Sequence, residues 1–98
     1  MNELEQQASD LLRRTGSAHG QYETTVLHGI YDQDWAVWYA DWAIKNGLNE
    51  LLGTGFDATA FGKLLSEINE DHQREGRNLT WAEFTAQRLA QMFATHSR

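Results

Sequence analysis

The sequence predicts an all-α protein, a compact bundle of about four helices that forms a single domain over its 98 residues. Apolar residues recur at steps of three and four along most of the chain, which is the period of an amphipathic helix. Proline is absent, so no residue removes a backbone donor from a helix interior. No segment shows sustained alternation of apolar and polar residues or a hairpin dipeptide, so no strand is predicted.

The first predicted helix covers about residues 2–26. Its inward face comprises Leu4, Ala8, Leu11, Leu12, Thr15, His19, Tyr22, Glu23 and Val26. Gly16 and Gly20 interrupt this helix without shifting the phase of the face. Each glycine costs about 1 kcal/mol relative to alanine, so they predict either a kink or break, or a close approach of another helix.

The second predicted helix begins at Asp32 or Asp34, since either side chain can cap the free N–H groups of a first turn. It ends near Asn46, where Gly47 can adopt the left-handed conformation of a helix C-terminus. Residues 48–52 then predict a short extra turn before a glycine-rich link.

An aromatic face dominates this second helix. Trp35, Trp38, Tyr39 and Trp42 follow the i, i+3, i+4, i+7 pattern and share one side. Each such ring can bury about 150–250 Å², which is a large apolar area for a small bundle. We therefore expect this face either to form the central element of the core or to form the interface of a homo-oligomer, most simply a dimer. The two interpretations can coexist.

The third predicted helix opens at Asp57 as N-cap and ends at Gly76. Its inward face comprises Ala60, Phe61, Leu64, Leu65, Ile68 and His72. The fourth helix starts with a capping box, in which Thr80 and Glu83 can each bond the other's backbone N–H. Its predicted buried side comprises Trp81, Phe84, Leu89, Met92 and Phe93.

Charge and composition narrow the setting of the protein. The net charge is −6, and residues 1–50 hold eight acidic side chains against three basic ones. An acidic surface repels phosphate backbones, so nucleic acid is not an expected partner. The sequence contains no cysteine, opens without signal-peptide features and has no apolar run of about 20 residues. These features predict a cytoplasmic protein that does not span a membrane.

The polar residues most able to carry chemistry lie near the end of the first helix. His19 and Glu23 are four residues apart and in phase with its apolar face. An ionised glutamate in a core needs a partner. The pair therefore predicts either a hydrogen-bonded tether between helices or a metal or acid–base site. If the first helix ends early, the two side chains are instead simply exposed. The predicted ligand-binding set is His19, Tyr22, Glu23, Asp34 and Trp38.

A metal site would use His19 and Glu23, with His72 or Asp71 as a third ligand. The chain has no Glu-x-x-His pair of the kind that builds di-metal carboxylate bundles, so the metal signal is weak and the sequence leaves the cofactor unassigned. It also has no cysteine nucleophile, no G-x-S-x-G, no Walker loop and no G-x-G-x-x-G. The sequence therefore favours a protein without catalytic activity.

Two motifs stand close together in the sequence. Residues 19–23 read H-G-x-Y-E, and residues 32–40 read D-x-x-W-x-x-W-Y-A. This pattern, within residues 11–45, resembles a small family of uncharacterised bacterial proteins. A proline often lies between the two tryptophans in that family, whereas this chain has Val37 there. The resemblance implies a bacterial, cytoplasmic origin and assigns no function.

Three hypotheses follow for function. The leading one is a non-catalytic, self-associating helical module that binds or regulates another molecule. The alternative is a small-molecule or metal-binding protein, including an enzyme, whose site is lined by His19, Tyr22, Glu23 and the tryptophan-rich helix. A third, supported only by the acidic first half, is a regulatory partner of a basic protein.

Overall fold

A computed structural model of the chain describes residues 3–29, 33–75 and 78–93, and five α helices account for most of them. The helices are α1 (Glu3–Thr25), α2 (Trp35–Lys45), α3 (Leu48–Leu52), α4 (Ala58–Glu75) and α5 (Trp81–Phe93). These ranges contain no strand, and none of their helices is long and apolar enough to cross a membrane. The Cα radius of gyration, 13.2 Å, is that of a compact chain of this length. The predicted all-α bundle is confirmed.

Two helix pairs build the bundle. α2 packs mainly on α4, α1 packs mainly on α5, and smaller contacts between α1 and α2 and between α4 and α5 join the pairs. The approach of α2 to α4 depends on Gly62, because a Cβ added there would lie 3.2 Å from backbone atoms of Ala36 and Val37. A larger residue at position 62 would push these two helices apart.

The first helix continues through both of its glycines, so no break occurs at Gly16 or Gly20. A Cβ added at Gly16 would lie 3.2 Å from the Tyr39 hydroxyl oxygen, whereas nothing lies within 4 Å of the same point at Gly20. The two glycines predicted either a break in the helix or a close approach of another helix. The close approach is found at Gly16, where α2 brings Tyr39 near.

The segment predicted as an extra turn is a separate helix, α3, so the described residues contain five helices where about four were predicted. Gly47 lies between α2 and α3 with φ of 109°, and Gly53 follows α3 with φ of 69°. Side chains other than glycine rarely adopt these conformations, and the left-handed residue redirects the chain after α2. The C-terminal role predicted for Gly47 is confirmed.

The predicted starts of α4 and α5 are confirmed by their hydrogen bonds. The Ala60 N–H donates to Asp57 Oδ1 at 2.8 Å, which caps the first turn of α4. At α5 the Glu83 N–H donates to Thr80 Oγ1, and the Thr80 N–H donates to Glu83 Oε1, each at 3.1 Å. Both halves of the capping box are therefore formed.

The start of α2 is less strongly capped. Asp34 occupies its N-cap position without a side-chain cap hydrogen bond, and the Asp34 carbonyl accepts the Trp38 N–H at 3.2 Å. Asp32, the other predicted start, and Gly76, the predicted end of the third helix, lie outside the described residues.

The interior between the helices is mainly aliphatic. Its fully buried side chains, here called the aliphatic interior, include Leu11, Leu12, Leu48, Phe61, Leu65, Ile68 and Leu89. Three predicted core residues are wrong: Val26 is 56% exposed, Met92 is 43% exposed and Ala60 is exposed. Val26 follows the last residue of α1, and Met92 lies to one side of the face that carries Leu89.

Candidate functional site

Aromatic rings from α1 and α2 surround His19, which lies one turn after the buried Thr15 on the inward face of α1. The residue is only 7% exposed. Its ring centroid lies 5.0 Å from that of Tyr39 and 5.1 Å from that of Trp38, both on α2. Tyr22, the next turn of α1, lies 6.2 Å away. The contacts extend to two further tryptophans, and the whole aromatic cluster is His19, Tyr22, Trp35, Trp38, Tyr39 and Trp81.

Glu23 lies near the imidazole without bonding it closely. Its Oε1 atom is 3.7 Å from His19 Nδ1, and 31% of the Glu23 side chain is exposed. The tether predicted through this pair is therefore not a direct hydrogen bond between the two side chains. Burial raises the pKa of the Tyr39 hydroxyl above its usual value, and the nearby Glu23 carboxylate raises it further. Tyr39 thus stays protonated at neutral pH and keeps a hydrogen to donate.

One open cavity, here called the His19 cleft, lies among residues from four helices and has a volume of about 310 Å³. Its lining residues are His19, Trp35, Tyr39, Asn69 and Trp81. Three of its rings meet edge to face: Trp35 and Tyr39 at 5.5 Å, Trp35 and Trp81 at 6.0 Å, and Tyr39 and Trp81 at 5.4 Å. An imidazole and an amide accompany these apolar walls, which is the usual composition of a small-molecule site.

The indole N–H of Trp81 is buried and has no hydrogen-bond partner in the described part of the chain. Thr85, one turn further along α5, has a buried hydroxyl in the same condition. A buried polar group without a partner costs about 1–3 kcal/mol.

A second open cavity, the Trp38 cleft, has a volume of about 330 Å³. Its lining residues are Tyr22, Asp34, Val37, Trp38, Asp41 and Ala58. The rings of Tyr22 and Trp38 lie 5.1 Å apart and are inclined by 32°. Asp41 also forms an exposed ion pair, with its Oδ2 atom 2.9 Å from Lys45 Nζ. This cleft thus combines aromatic and apolar side chains with two carboxylates.

The structure places four of the five predicted ligand-binding residues in the walls of the two cavities. His19 lines the first cleft, whereas Tyr22, Asp34 and Trp38 line the second. Glu23 lines neither of them. The His19 ring also packs near the rings of Tyr22 and Trp38, which line the second cavity.

The predicted aromatic face of the second helix does not act as one surface. Trp35, Tyr39 and Trp42 are partly buried and pack against the aliphatic interior. Trp38 instead packs on the rings of His19 and Tyr22. Three of the four rings therefore pack against the interior, two of these also line the His19 cleft, and the fourth lines the Trp38 cleft.

The residues proposed for a metal are not brought together as a ligand set. Within residues 3–29, 33–75 and 78–93, no group of three His, Asp or Glu side chains could hold a metal ion. His72 Nε2 lies 2.8 Å from the Leu79 carbonyl oxygen, and its ring centroid is 5.2 Å from that of Phe84. This histidine joins the end of α4 to the segment before α5.

Two residues of the His19 cleft were not expected there. Asn69 was not predicted as a site residue, and Trp81 was predicted only as part of a buried face. Asn69 follows Phe61 and Leu65 at steps of four, so a polar side chain continues the apolar face of α4. That break in the pattern is the signal from which Asn69 could have been found.

Comparisons with protein-family models, curated proteins and solved structures give no match to this chain. The resemblance based on the two sequence motifs therefore stays a prediction.

Proposed function

We propose that this protein is a non-catalytic helical binding module that holds a small planar ligand in the His19 cleft. One observation carries the proposal: a buried histidine and an asparagine line an open cavity whose other walls are aromatic. Aromatic walls favour a flat ring, which can pack face to face or edge to face against them.

The polar groups of the cleft indicate what such a ligand would carry. Imidazole and amide side chains both carry hydrogen-bonding atoms, so His19 and Asn69 suit a ligand with polar groups on one edge. Tyr39 adds a phenol that stays protonated because its pKa is raised. We therefore propose an uncharged aromatic compound that bears an amide-like edge.

Benzamide is a suitable probe because it joins a flat ring to an amide. In ¹⁵N-labelled protein, we expect it to shift the indole N–H signals of Trp35 and Trp81, which line the cleft. Trp42 lines neither cavity and serves as an internal reference. Cyclohexanecarboxamide, with the same amide on a non-planar ring, should bind more weakly.

The substitution Asn69→Leu removes the amide edge and retains a side chain of similar size. Loss of one ligand hydrogen bond should weaken benzamide binding about tenfold. Gln73→Leu makes the same kind of change at an exposed position of α4 and should leave binding unchanged. Equal affinity of benzamide for the parent and the Asn69 variant would contradict the proposal.

Self-association is the second candidate function. We propose a homodimer through the outer edge of α2, supported by Val37, which is 46% exposed beside the partly exposed Trp38. Val37→Glu should then shift native mass spectra from dimer to monomer, because it places a charge in an apolar contact. Val26→Glu, at a valine that is 56% exposed, is the matched control. A monomeric parent protein at high concentration would exclude this candidate.

The proposed setting is the cytoplasm of a bacterium. The cysteine-free sequence supports a reducing compartment, and the two motifs support a bacterial source. Fractionation of the host cells, with detection of the native protein, tests this assignment. Recovery of the protein with the envelope fraction would contradict it.

A further inference from the structure

The Trp38 cleft has the composition of a site for an organic cation, and we propose that it binds a small quaternary ammonium compound. This inference concerns a different cavity and a different ligand class from the proposed ligand site, and it is an alternative to the homodimer candidate, which would cover Val37 and Trp38 of the same cavity. It rests on three observations: the aromatic rings, the carboxylates on the same face of α2, and the apolar residues between them.

The aromatic part of the cleft provides the first observation. Trp38 is partly exposed and lies 5.1 Å from the ring of Tyr22. The faces of aromatic rings are electron-rich and attract a cation placed over them, and tryptophan does so most strongly. Both rings line the same cavity, so an ionised ligand can bind against them in its charged form.

The charge of the cleft provides the second observation. Asp34, Trp38 and Asp41 are spaced i, i+4 and i+7, so both carboxylates share the face of α2 that carries the tryptophan. None of the six described residues that line the cavity is basic. Asp41 already accepts an ammonium group, that of Lys45, at 2.9 Å. The cleft thus attracts positive charge.

The apolar residues distinguish among cations. Val37 and Ala58 line the same cavity, and they offer methyl contacts that a strongly hydrated metal ion or bare ammonium ion would not use. A quaternary ammonium group carries its charge under a shell of methyl groups, so it can contact the rings and these side chains together. Its weak hydration also lowers the cost of leaving water.

Choline and 3,3-dimethylbutan-1-ol form a matched pair of probes, because they have nearly the same shape and differ in charge. We expect choline to shift the indole N–H signal of Trp38 in ¹⁵N spectra at low salt, and the neutral alcohol to bind at least about tenfold more weakly. Trp42 is again the internal reference. Equal affinity for the two probes would show an apolar pocket only and would overturn the proposal.

Two substitutions with opposite expected effects test the carboxylate. Asp41→Asn should weaken choline binding about threefold, since an exposed charge contributes modestly. Lys45→Gln should strengthen binding by a similar factor, because it removes the ammonium group that competes for Asp41. A merely structural role of the Asp41–Lys45 pair would not give opposite signs.

Asp10 and Arg13 provide the controls, because they form an exposed ion pair on α1 that is not part of the cleft. Asp10→Asn and Arg13→Gln should leave choline binding unchanged. Trp38→Leu should weaken it about tenfold, and circular dichroism will show whether this variant is folded. If it is unfolded, the Asp41 and Lys45 variants still decide the question.

The two proposals are separable by their reporter signals. Benzamide should act on Trp35 and Trp81, and choline should act on Trp38. If choline shifts no tryptophan, or only those of the His19 cleft, the ammonium site is excluded while the proposed function stands. If choline shifts the Trp38 signal but benzamide shifts neither Trp35 nor Trp81, the proposed ligand site in the His19 cleft is excluded and the ammonium site stands.

Discussion

The aliphatic interior and the aromatic cluster are parts of one bundle, yet they exclude water to different degrees. Leu65, Leu89 and Phe61 in the interior are fully buried. In the cluster, Trp35, Trp38 and Tyr39 remain partly exposed, although they are larger. Indole, phenol and imidazole groups carry polar atoms that need partners, so these rings stay near the surface or beside cavities.

This difference separates the residues that hold the fold together from those available for binding. Close-packed aliphatic side chains leave no room for a ligand and gain the most from leaving water. The aromatic cluster, by contrast, borders two open cavities and keeps polar groups at their walls. Substitutions should therefore affect stability most in the interior and ligand binding most in the cluster.

The largest expected effect is in the interior. Leu65→Ala should lower the free energy of unfolding by about 3–5 kcal/mol, because it leaves a cavity where the side chain is fully buried. Urea denaturation followed by circular dichroism measures the change. Trp38→Leu, in the cluster, should cost only about 1–2 kcal/mol because a partly exposed ring loses less buried area.

Leu64 provides the control for this comparison, since it is the adjacent leucine of α4 and is only partly buried. Leu64→Ala should cost about 1–2 kcal/mol. If Trp38→Leu destabilises the protein as much as Leu65→Ala, the separation between a stabilising interior and a binding cluster is wrong.

Two buried threonines sharpen the comparison within the interior itself. Thr15 and Thr85 are both 0% exposed, but Thr15 donates to the Leu11 carbonyl at 2.7 Å whereas the Thr85 hydroxyl has no partner among the described residues. Thr85→Val should therefore raise the free energy of unfolding by about 1–2 kcal/mol. Thr15→Val should instead lower it by about 0.5–1 kcal/mol. Thermal and urea unfolding of both variants will show whether the signs differ, and a loss of stability in Thr85→Val would refute this reading.

A smaller effect is expected at the start of α5, which carries Trp81 into the cluster. Thr80→Ala removes one half of the capping box and should cost about 1 kcal/mol. Thr59→Ala, at an exposed position in the first turn of α4, should change the urea midpoint much less. A Thr80 variant as stable as the parent would show that tertiary packing alone sets the start of α5.

The smallest effect concerns the surface outside both regions. The pKa of Asp71 is lowered, chiefly by the hydrogen bond from Arg88 at 2.7 Å and also by Arg74. A lowered pKa means that the carboxylate stabilises the folded state above the usual pKa of about 4. That stabilisation is lost as the pH falls through the lowered value. An NMR titration of the Asp71 carboxyl group measures the shift.

Arg88→Gln and Arg74→Gln make a matched pair for this titration. Removing Arg88 should raise the pKa of Asp71 more than removing Arg74, because the Arg88 hydrogen bond is the larger cause. Stability near pH 7 should change little in either variant, since ion pairs that solvent still reaches contribute weakly. The opposite order of the two pKa shifts would contradict the assignment.

The sequence by itself determined the helices and most of their ends. Amphipathic periodicity, the caps at Asp57 and Thr80, and the left-handed Gly47 are all found where they were predicted. These features depend on residues within about four positions of one another, so local physics is sufficient to specify them. The same reasoning missed α3 as a separate helix and placed Val26 and Met92 in the core.

Only the tertiary structure decided which helices meet, and with them the site. The pairing of α2 with α4 and of α1 with α5 brings Asn69 and Trp81 to His19, from positions 50 or more residues further along the chain. It also distributes four of the five predicted ligand-binding residues over two cavities. A helical pattern shows which face of each helix is buried. A cleft, however, forms where the faces of several helices do not pack fully against one another. That outcome depends on packing between distant segments, which no local pattern contains.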